Sequence, residues 1–542
     1  MTLLRMLLRT HRGGFISVTA LGSLAGSAQA LAYNAAAGTT PAQQQAFGRS
    51  VEVLGRQLYY LLPLPIRPDT LAGYVEWRGL GSLPLFFGLW ALLSGVGGTR
   101  GDEDRGLVET WLAAGLSRWR FLLARFGVFA LAALASVFVI AGFTELGSAG
   151  AGSPFAVDRL LELVLPTALL AAWCYAFAAL VAQALASSRT AMSVAGVLVV
   201  ALYLVNALGR PGGQLGSYRG LSPFYYVDRT TALAPGGTFD LAATVGLAVT
   251  AVPLALLAAL AFTRRDLGSA LFRRAGATRP PVLTPDPHPL LRLPVLAPLY
   301  EHRAGLLVWT AGMAVLGGYM VSLVKPIVDL FQGAAGFATY VAALERHASL
   351  GQAIVGSLVF PLMQLVLAVY VVTVIAGWSS DDTEGRLEMI LAQAVPRWRV
   401  VLERAGSLLI GLLLLVAAGV ACAALVARSQ GLVVDGGSLV QAGVALLPFG
   451  LSFGAVGAAI TGRFPRLAAA ALGVLAVLSY FLQEFAQVFS WPSWVTNLSV
   501  FSLYGDPLDD GVFWNGLFAL LAIVVVGFGV AMVALQRRDV GS

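Results

Sequence analysis

The side chains that usually carry out chemistry are few in this 542-residue sequence, and their spacing excludes several kinds of site. A phosphate-binding loop of the G-x-x-x-x-G-K-[ST] type needs a lysine after a glycine, but the only lysine, Lys325, follows Val324. The four histidines and two cysteines lack the spacing of zinc ligands. We therefore expect no ATP hydrolysis by that route, no metal and no bound cofactor in this chain itself.

Charged residues recur in two short segments that resemble each other. The segment from Gly106 to Gly127 aligns with the segment from Gly385 to Gly406 at an offset of 279 residues, with ten identities in 22 positions. Each copy follows an acidic cluster, contains one isolated glutamate and includes Arg-Trp-Arg. The charged residues concerned are Asp102, Glu103, Glu109, Arg118 and Arg120 in the first copy, and Asp381, Asp382, Glu388, Arg397 and Arg399 in the second.

Apolar residues in both copies have the spacing of one helical face. Val108, Trp111, Leu112, Leu116 and Trp119 recur at i, i+3, i+4, i+8 and i+11, and the second copy has apolar residues at the same positions. A helix with tryptophans on one face and arginines at its end lies at a membrane surface. A simple interfacial anchor would explain this pattern, but the isolated glutamate of each copy falls off the apolar stripe. We therefore interpret each segment as a protein-docking helix, with the anchor as the alternative.

These segments lie between long apolar runs. Hydrophobic residues make up 58% of the sequence and charged residues 12%, whereas a soluble domain carries about 25% charged residues. Runs long enough to cross a bilayer predict an all-α integral membrane protein with twelve transmembrane helices. The predicted spans lie near 14–33, 80–98, 126–146, 161–184, 190–208, 240–262, 305–324, 354–377, 405–427, 438–461, 467–482 and 512–535.

The distribution of charge predicts the orientation. An even number of spans puts both termini on one side, and the loops of that side carry 24 basic and 13 acidic residues. Basic loops remain in the cytoplasm, so both termini are predicted to be cytoplasmic. Orientation and anionic lipid headgroups account for the net charge of +7, and we expect no nucleic-acid partner. The strong preference for arginine over lysine favours a bacterial plasma membrane as the location.

The repeat extends over the whole chain. Arg264-Arg265-Asp266 follows the sixth predicted span, and Arg537-Arg538-Asp539 follows the twelfth. We therefore predict two tandem six-helix halves that form a pseudo-dimer, with a first half at 1–262 and a second half at 305–542. Seven prolines between 280 and 298 predict a cytoplasmic linker, which together with a second elbow helix occupies 263–304.

Polar residues within apolar spans are candidates for a substrate path, since they are costly in a membrane and usually face the interior. The fifth span has Tyr203 and Asn206, and the eleventh repeats this spacing with Tyr480 and Gln483. Tyrosines near span ends also occur in the aromatic belt at the membrane surface, which is the alternative. Isolated acids in the predicted outer loops 34–79 and 209–239 are interpreted as solvated; they are Glu52, Glu76 and Asp228.

The repeated segment, placed between the second and third spans of each half, resembles the permeases of the ABC-2 type exporter family, also called the type V exporter fold. The tandem arrangement is similar to the fused twelve-span multidrug and polyether-antibiotic exporter permeases of the tetronasin-resistance type. The resemblance implies export of hydrophobic small molecules such as drugs or antibiotics, powered by two copies of a separate ATPase that binds ATP and Mg. It also implies an elbow helix before the first span and short re-entrant helices within 209–239.

In that family the helix after the second span is a coupling helix that sits in a groove of the ATPase. Carried over by position, the ten charged residues of the two copies, together with Trp111, would contact the ATPase. Two other functions remain open from the sequence. A proton-coupled carrier of the major facilitator type also has six plus six spans, although no protonatable group lies well inside a predicted span. A membrane-embedded enzyme would need paired carboxylates or an activated nucleophile, and no aspartate pair lies within a span.

Overall fold

A computed structural model describes residues 2–57, 62–210, 216–271, 293–325, 328, 349–393, 395–488 and 491–538. Over these ranges the chain is helical and contains no strand. Twelve of the described helical segments are long and apolar enough to cross a membrane, which confirms the predicted number. Their bounds are Thr10–Ala37, Leu71–Asp104, Arg118–Gly150, Val157–Ala184, Thr190–Leu208, Leu241–Arg264, Arg303–Ser322, Leu350–Thr383, Arg397–Ser429, Gly436–Arg463, Pro465–Gln483 and Trp514–Arg537.

Shorter helices connect the spans. The α-helices among them are Pro41–Gln57, Leu107–Ala113, Pro223–Asp228, Ala297–Glu301, Arg386–Leu391 and Ser493–Thr496, and Gly216–Leu221 and Ser502–Tyr504 are 3₁₀ helices. The first helix runs without a break from Thr2 to Ala37, so the segment expected to form an elbow is continuous with the first span. A separate short helix, Ala297–Glu301, precedes the seventh span. Part of the predicted proline-rich linker, 272–292, lies outside the described residues.

The chain divides into two compact units, Met1–Pro281 and Val282–Ser542, each with six spans. In the first unit the first span packs on the third, and the fourth packs on the second, third and sixth. In the second unit the seventh span packs on the ninth, and the tenth packs on the eighth, ninth and twelfth. The same pairs of spans therefore meet within each unit, as a tandem repeat would require.

Small residues allow the closest of these contacts. A Cβ at Gly147 of the third span would lie 2.6 Å from the Cα of Ser27 in the first span. In the second unit a Cβ at Gly317 would lie 2.5 Å from the carbonyl oxygen of Gly419. Association between apolar helices in lipid depends on such close backbone packing, because lipid tails compete equally well for apolar side chains.

The second span is not a uniform α-helix. It contains two π-helical segments, Val75–Leu80 near its start and Gly97–Gly101 near its end. π-Helical turns are rare and occur frequently at functional sites. The first of them carries Glu76 and Trp77, and the second carries Arg100 immediately before the acidic cluster.

Candidate functional site

The two predicted docking segments form short helices after the second span of each unit. Leu107–Ala113 follows Gly106, whose φ is +71°, and Arg386–Leu391 follows Gly385, whose φ is +76°. Glycine adopts this left-handed conformation without the steric cost that a Cβ would add. Each turn therefore separates the docking helix from the acidic cluster before it. We call these two helices the first and second interfacial helix.

The first interfacial helix is shorter than its apolar stripe predicted. It ends at Ala113, and Gly115, with φ of +88°, lies within the connection to the third span. The third span then begins at Arg118, where the Ser117 hydroxyl accepts a hydrogen bond from the backbone N–H of Arg120. The prediction of one helix through Trp119 was therefore wrong, because a left-handed glycine and a serine N-cap separate two helices.

Each interfacial helix has one anchored face and one open face. Val108 and Leu387, which are equivalent in the repeat, are both fully buried. Trp111 is half-buried and packs against the core of its unit. Glu109 and Glu388, also equivalent, are exposed. Large apolar side chains are exposed on or beside the same helices; they are Leu107, Trp119, Met389, Ile390 and Trp398.

The acidic cluster before the first interfacial helix is buried. Glu103 is 6% exposed and forms a two-pronged ion pair with Arg265, in which Arg265 Nη1 lies 2.7 Å from Glu103 Oε1. Arg100 Nη1 lies 3.2 Å from the same oxygen, and the backbone N–H of Gly268 donates to it at 2.6 Å. Asp102 forms ion pairs with Arg105 and with Arg125 of the third span. These carboxylates therefore join the start of the docking segment to the third and sixth spans.

The second unit has an equivalent arrangement. Asp382 Oδ2 lies 3.0 Å from Arg538 Nη1, and its other carboxylate oxygen lies 3.3 Å from Arg404 Nη2. Asp381 lies 3.2 Å from Arg386 and 3.8 Å from Arg404. At the repeat offset of 279, Glu103 corresponds to Asp382 and Arg125 to Arg404. We call the two sets of ion-paired residues the inner ion networks. The first comprises Arg100, Asp102, Glu103, Arg125 and Arg265, and the second comprises Asp381, Asp382, Arg404 and Arg538.

A further pair of equivalent arginines joins the same elements. Arg118 Nη1 donates a hydrogen bond of 2.6 Å to the carbonyl oxygen of Arg265, at the end of the sixth span. Arg397 Nη1 donates to the carbonyl oxygens of Leu535 and Arg538, at 2.9 and 2.8 Å, at the end of the twelfth. Arg120 and Arg399 are exposed.

The predicted docking residues therefore differ in their surroundings. Six of them have polar contacts that hold the segment onto its own unit; they are Asp102, Glu103, Asp381, Asp382, Arg118 and Arg397. Four present exposed side chains; they are Glu109, Arg120, Glu388 and Arg399. The remaining residue, Trp111, is half-buried. Arg265 and Arg538 were not predicted to have a role, although both lie in the repeated Arg-Arg-Asp motif, which could have indicated one.

Replacing Asp382 by asparagine is expected to destabilise the protein by about 1–2 kcal/mol. Its partners Arg404 and Arg538 have side chains that are 16% and 20% exposed, so water can solvate part of the charge that remains. Thermal unfolding of the purified protein in detergent measures the change. Glu384→Gln, at a carboxylate whose side chain is 61% exposed, is the matched control and should change the midpoint little. Equal effects of the two variants would contradict this assignment.

The predicted substrate-path tyrosines have equivalent surroundings. The ring of Tyr203 contacts that of Phe224 edge-on, with centroids 5.3 Å apart, and Tyr480 contacts Phe501 in the same way at 5.7 Å. Both phenylalanines lie in the connection after the fifth span of their unit, at the same offset of 277 residues. Each tyrosine therefore packs on the connection that follows its own span.

A serine caps that connection in both units. Ser222 Oγ accepts a hydrogen bond of 3.2 Å from the backbone N–H of Phe224, and Ser499 Oγ accepts one of the same length from Phe501. Between the serine and the phenylalanine the first copy has Pro223 and the second has Val500, so this local cap does not depend on the proline. The helices that follow do differ, since Pro223–Asp228 is α-helical and Ser502–Tyr504 is a 3₁₀ helix.

Asn206 and Gln483 have different surroundings. Asn206 is fully buried, and its amide nitrogen donates to Asp228 Oδ2 at 2.9 Å while its oxygen accepts from Arg219 at 3.1 Å. Arg210 also pairs with Asp228, at 2.8 Å. The interpretation of Asp228 as a solvated acid was wrong, because its side chain is 13% exposed and paired with two arginines. Gln483 is half-buried, and the described residues provide no partner for its Oε1.

Both halves of the chain match families of known transport proteins. Residues 7–214 match the model of the ABC-2 family transporter proteins, and residues 291–536 match that of the C-terminal domain of the multidrug efflux system permease Rv1217c. The multidrug efflux system permease protein Rv1217c of Mycobacterium tuberculosis is 27% identical over 495 residues, which cover 88% of this chain and 84% of that protein. These matches favour the ABC permease over the major facilitator carrier and the enzyme. The chain is a multi-pass membrane protein of the ABC-2 permease family, the transport components of ABC transporters.

Proposed function

We propose that this chain is the permease subunit of an ATP-driven multidrug exporter, and that two copies of a separate ATPase dock on its two interfacial helices. The observation that carries the proposal is that both interfacial helices have one exposed and one buried face. Glu109 and Glu388 lie on the exposed faces, and Val108 and Leu387 lie on the buried ones. The likeness to a permease named for multidrug efflux supports a cargo of hydrophobic drugs or antibiotics. ATP and Mg would then be bound by the ATPase.

The open faces have the composition of a protein-binding surface. Met389 and Trp398, 65% and 46% exposed, follow Glu388 of the second copy by one and ten residues. Leu107, 43% exposed, precedes Glu109 of the first copy by two residues, and Trp119, 40% exposed, follows it by ten. Protein interfaces combine an apolar centre with a polar rim, and tryptophan and methionine are enriched in them. A carboxylate at the rim adds orientation and partner choice.

The inner ion networks suit these helices to transmit force. In the first unit Glu103, next to the interfacial helix, is paired with Arg265 at the end of the sixth span. Arg118, at the start of the third span, donates to the carbonyl oxygen of the same Arg265. Movement of a docked ATPase would therefore displace the third and sixth spans together with the helix, rather than bend a flexible loop. The second unit has equivalent contacts through Asp382 and Arg397.

The topology that goes with this function is part of the proposal. We infer two tandem six-helix halves, at 1–262 and 305–542, joined by a cytoplasmic segment at 263–304. Both termini and both interfacial helices would face the cytoplasm of a bacterial cell, because the loops of that side are the basic ones. A cytoplasmic position of these helices is necessary for contact with an ATPase.

The cargo path remains a prediction from the sequence. Tyr203 and Tyr480 pack on the connections after their spans, so we assign them the role of bracing those connections. Asn206 takes part in the ion cluster of Asp228. Gln483 is half-buried, and its amide oxygen has no hydrogen-bond partner among the described residues. This oxygen could therefore accept a hydrogen bond from a polar group of the cargo.

Co-expression with a candidate ABC ATPase tests the function. The purified chain alone should not hydrolyse ATP, whereas the two proteins should co-purify, and the complex in vesicles should take up an ethidium-like dye when ATP is supplied. An ATPase variant that binds but does not hydrolyse ATP is the matched control and should abolish uptake. Uptake driven by a proton gradient without ATP would instead identify a secondary carrier.

A further inference from the structure

A small cavity lies within the first unit, away from the interfacial helix. Its volume is about 50 Å³, which is enough for a few water molecules or one small polar group. The start of the second span, the fourth span and the segment after Pro223–Asp228 surround it. Most of its wall is apolar, and the residues include Pro63, Leu80, Leu83, Pro84 and Val164. Glu76, Trp77 and Thr230 are among its polar lining residues.

Glu76 presents a carboxylate to this apolar wall. Its Oε2 accepts hydrogen bonds from the backbone N–H groups of Leu233 and Ala234, at 2.9 and 2.8 Å, which fix its position. Among the described residues no basic side chain forms an ion pair with Glu76. Glu76 was predicted to lie on a solvated loop, but it lies in the π-helix Val75–Leu80 of the second span. A carboxylate in such a position favours a cationic ligand.

Two other residues of the lining carry a polar group without a described partner. Trp77 is 4% exposed and Thr230 is 5% exposed, and neither the indole N–H nor the hydroxyl has a hydrogen-bond partner among the described residues. Buried polar groups in folded proteins nearly always have one. Asp228 also lines the cavity, but its carboxylate already forms ion pairs with Arg210 and Arg219. The lining therefore includes one carboxylate without a counter-charge, one indole N–H without an acceptor and one hydroxyl without a hydrogen-bond partner.

We propose that this cavity binds the ammonium group of a primary amine that carries a nearby oxygen atom. Glu76 is the counter-ion, the Thr230 hydroxyl accepts a second ammonium hydrogen, and the ligand oxygen accepts the N–H of Trp77. A trimethylammonium group is bulkier and has no N–H to donate. Soluble amino alcohols and the headgroup of phosphatidylethanolamine share this chemistry. The site adds to the proposed function without depending on it, because binding needs neither ATP nor an ATPase.

Calorimetric titration of the full chain in phosphatidylcholine nanodiscs tests the proposal with three probes. They are 1-amino-2-octanol, octyltrimethylammonium and 2-octanol, each also titrated into empty nanodiscs. The amine should bind at least about tenfold more tightly than the other two. In the Glu76→Gln variant this preference should vanish, because the amide oxygen can still accept from Leu233 and Ala234 but the charge is gone. Glu162→Gln removes an acid outside the cavity and should leave binding unchanged.

Nanodiscs that contain phosphatidylethanolamine distinguish the two sources of the amine. Loss of 1-amino-2-octanol binding in these discs identifies the lipid headgroup as the occupant, and unchanged binding identifies a soluble amine. If Glu76→Gln fails to fold, Thr230→Val preserves shape and should weaken amine binding about fivefold. Equal affinity for all three probes, or full amine binding in a folded Glu76→Gln or Thr230→Val protein, would show that the cavity holds water only and would overturn the proposal.

Discussion

Replacing Glu103 by glutamine is expected to cost about 3–5 kcal/mol of stability. Its carboxylate is paired with Arg265 and Arg100, and the side chains of both arginines are 1% exposed. Removal of the negative charge would leave the Arg265 guanidinium without a carboxylate partner and Arg100 with only Asp104, 3.6 Å away, in a site from which water is excluded. The expected result is a large fall in the yield of folded protein and in the midpoint of its thermal unfolding in detergent.

A double variant separates loss of the ion pair from general disruption. Glu103→Gln combined with Arg265→Gln removes one charge of each sign, so it should be more stable than the sum of the two single changes predicts. The backbone carbonyl of residue 265 remains available to Arg118 in this variant. Glu52→Gln, at an exposed acid of the same unit, is the control. A Glu103→Gln protein as stable as this control would refute the structural role of the network.

Charge reversal on both interfacial helices should abolish coupling to the ATPase. Glu109→Lys with Glu388→Lys places two positive charges on surfaces that we assign to the partner, which is expected to reduce stimulated ATP hydrolysis about tenfold or more. Both side chains are exposed, so membrane insertion and unfolding temperature should change little. Stimulated ATPase activity and the yield of inserted protein, measured on the same preparation, test the prediction.

The two single variants are expected to give intermediate ATPase stimulation. Glu109→Lys or Glu388→Lys alone leaves one docking helix unchanged, so each should retain part of the stimulation. Asp158→Lys introduces the same change of charge at an exposed acid in the first turn of the fourth span, remote in sequence from both interfacial helices, and should have no effect. Full stimulation in the double variant would mean that these helices are interfacial anchors and that the ATPase binds elsewhere.

The number of spans and the position of the interfacial helices could be predicted from the sequence. Each span is a continuous apolar run, and its length depends only on residues close together in the chain. The break between the first interfacial helix and the third span was harder to predict. Gly115 and Ser117 are the residues that end one helix and start the next, yet the apolar spacing continues across them.

The sequence by itself determined twelve spans, the repeat and the two charged segments. Only the tertiary structure decided which charges are buried: Glu103 and Glu109 are the same residue type six positions apart, and one is buried while the other is exposed. It likewise showed that Glu76 lines a cavity. The physical reason is that burial of a carboxylate depends on partners such as Arg265, which lies 162 residues further along the chain and reaches Glu103 only when the spans pack.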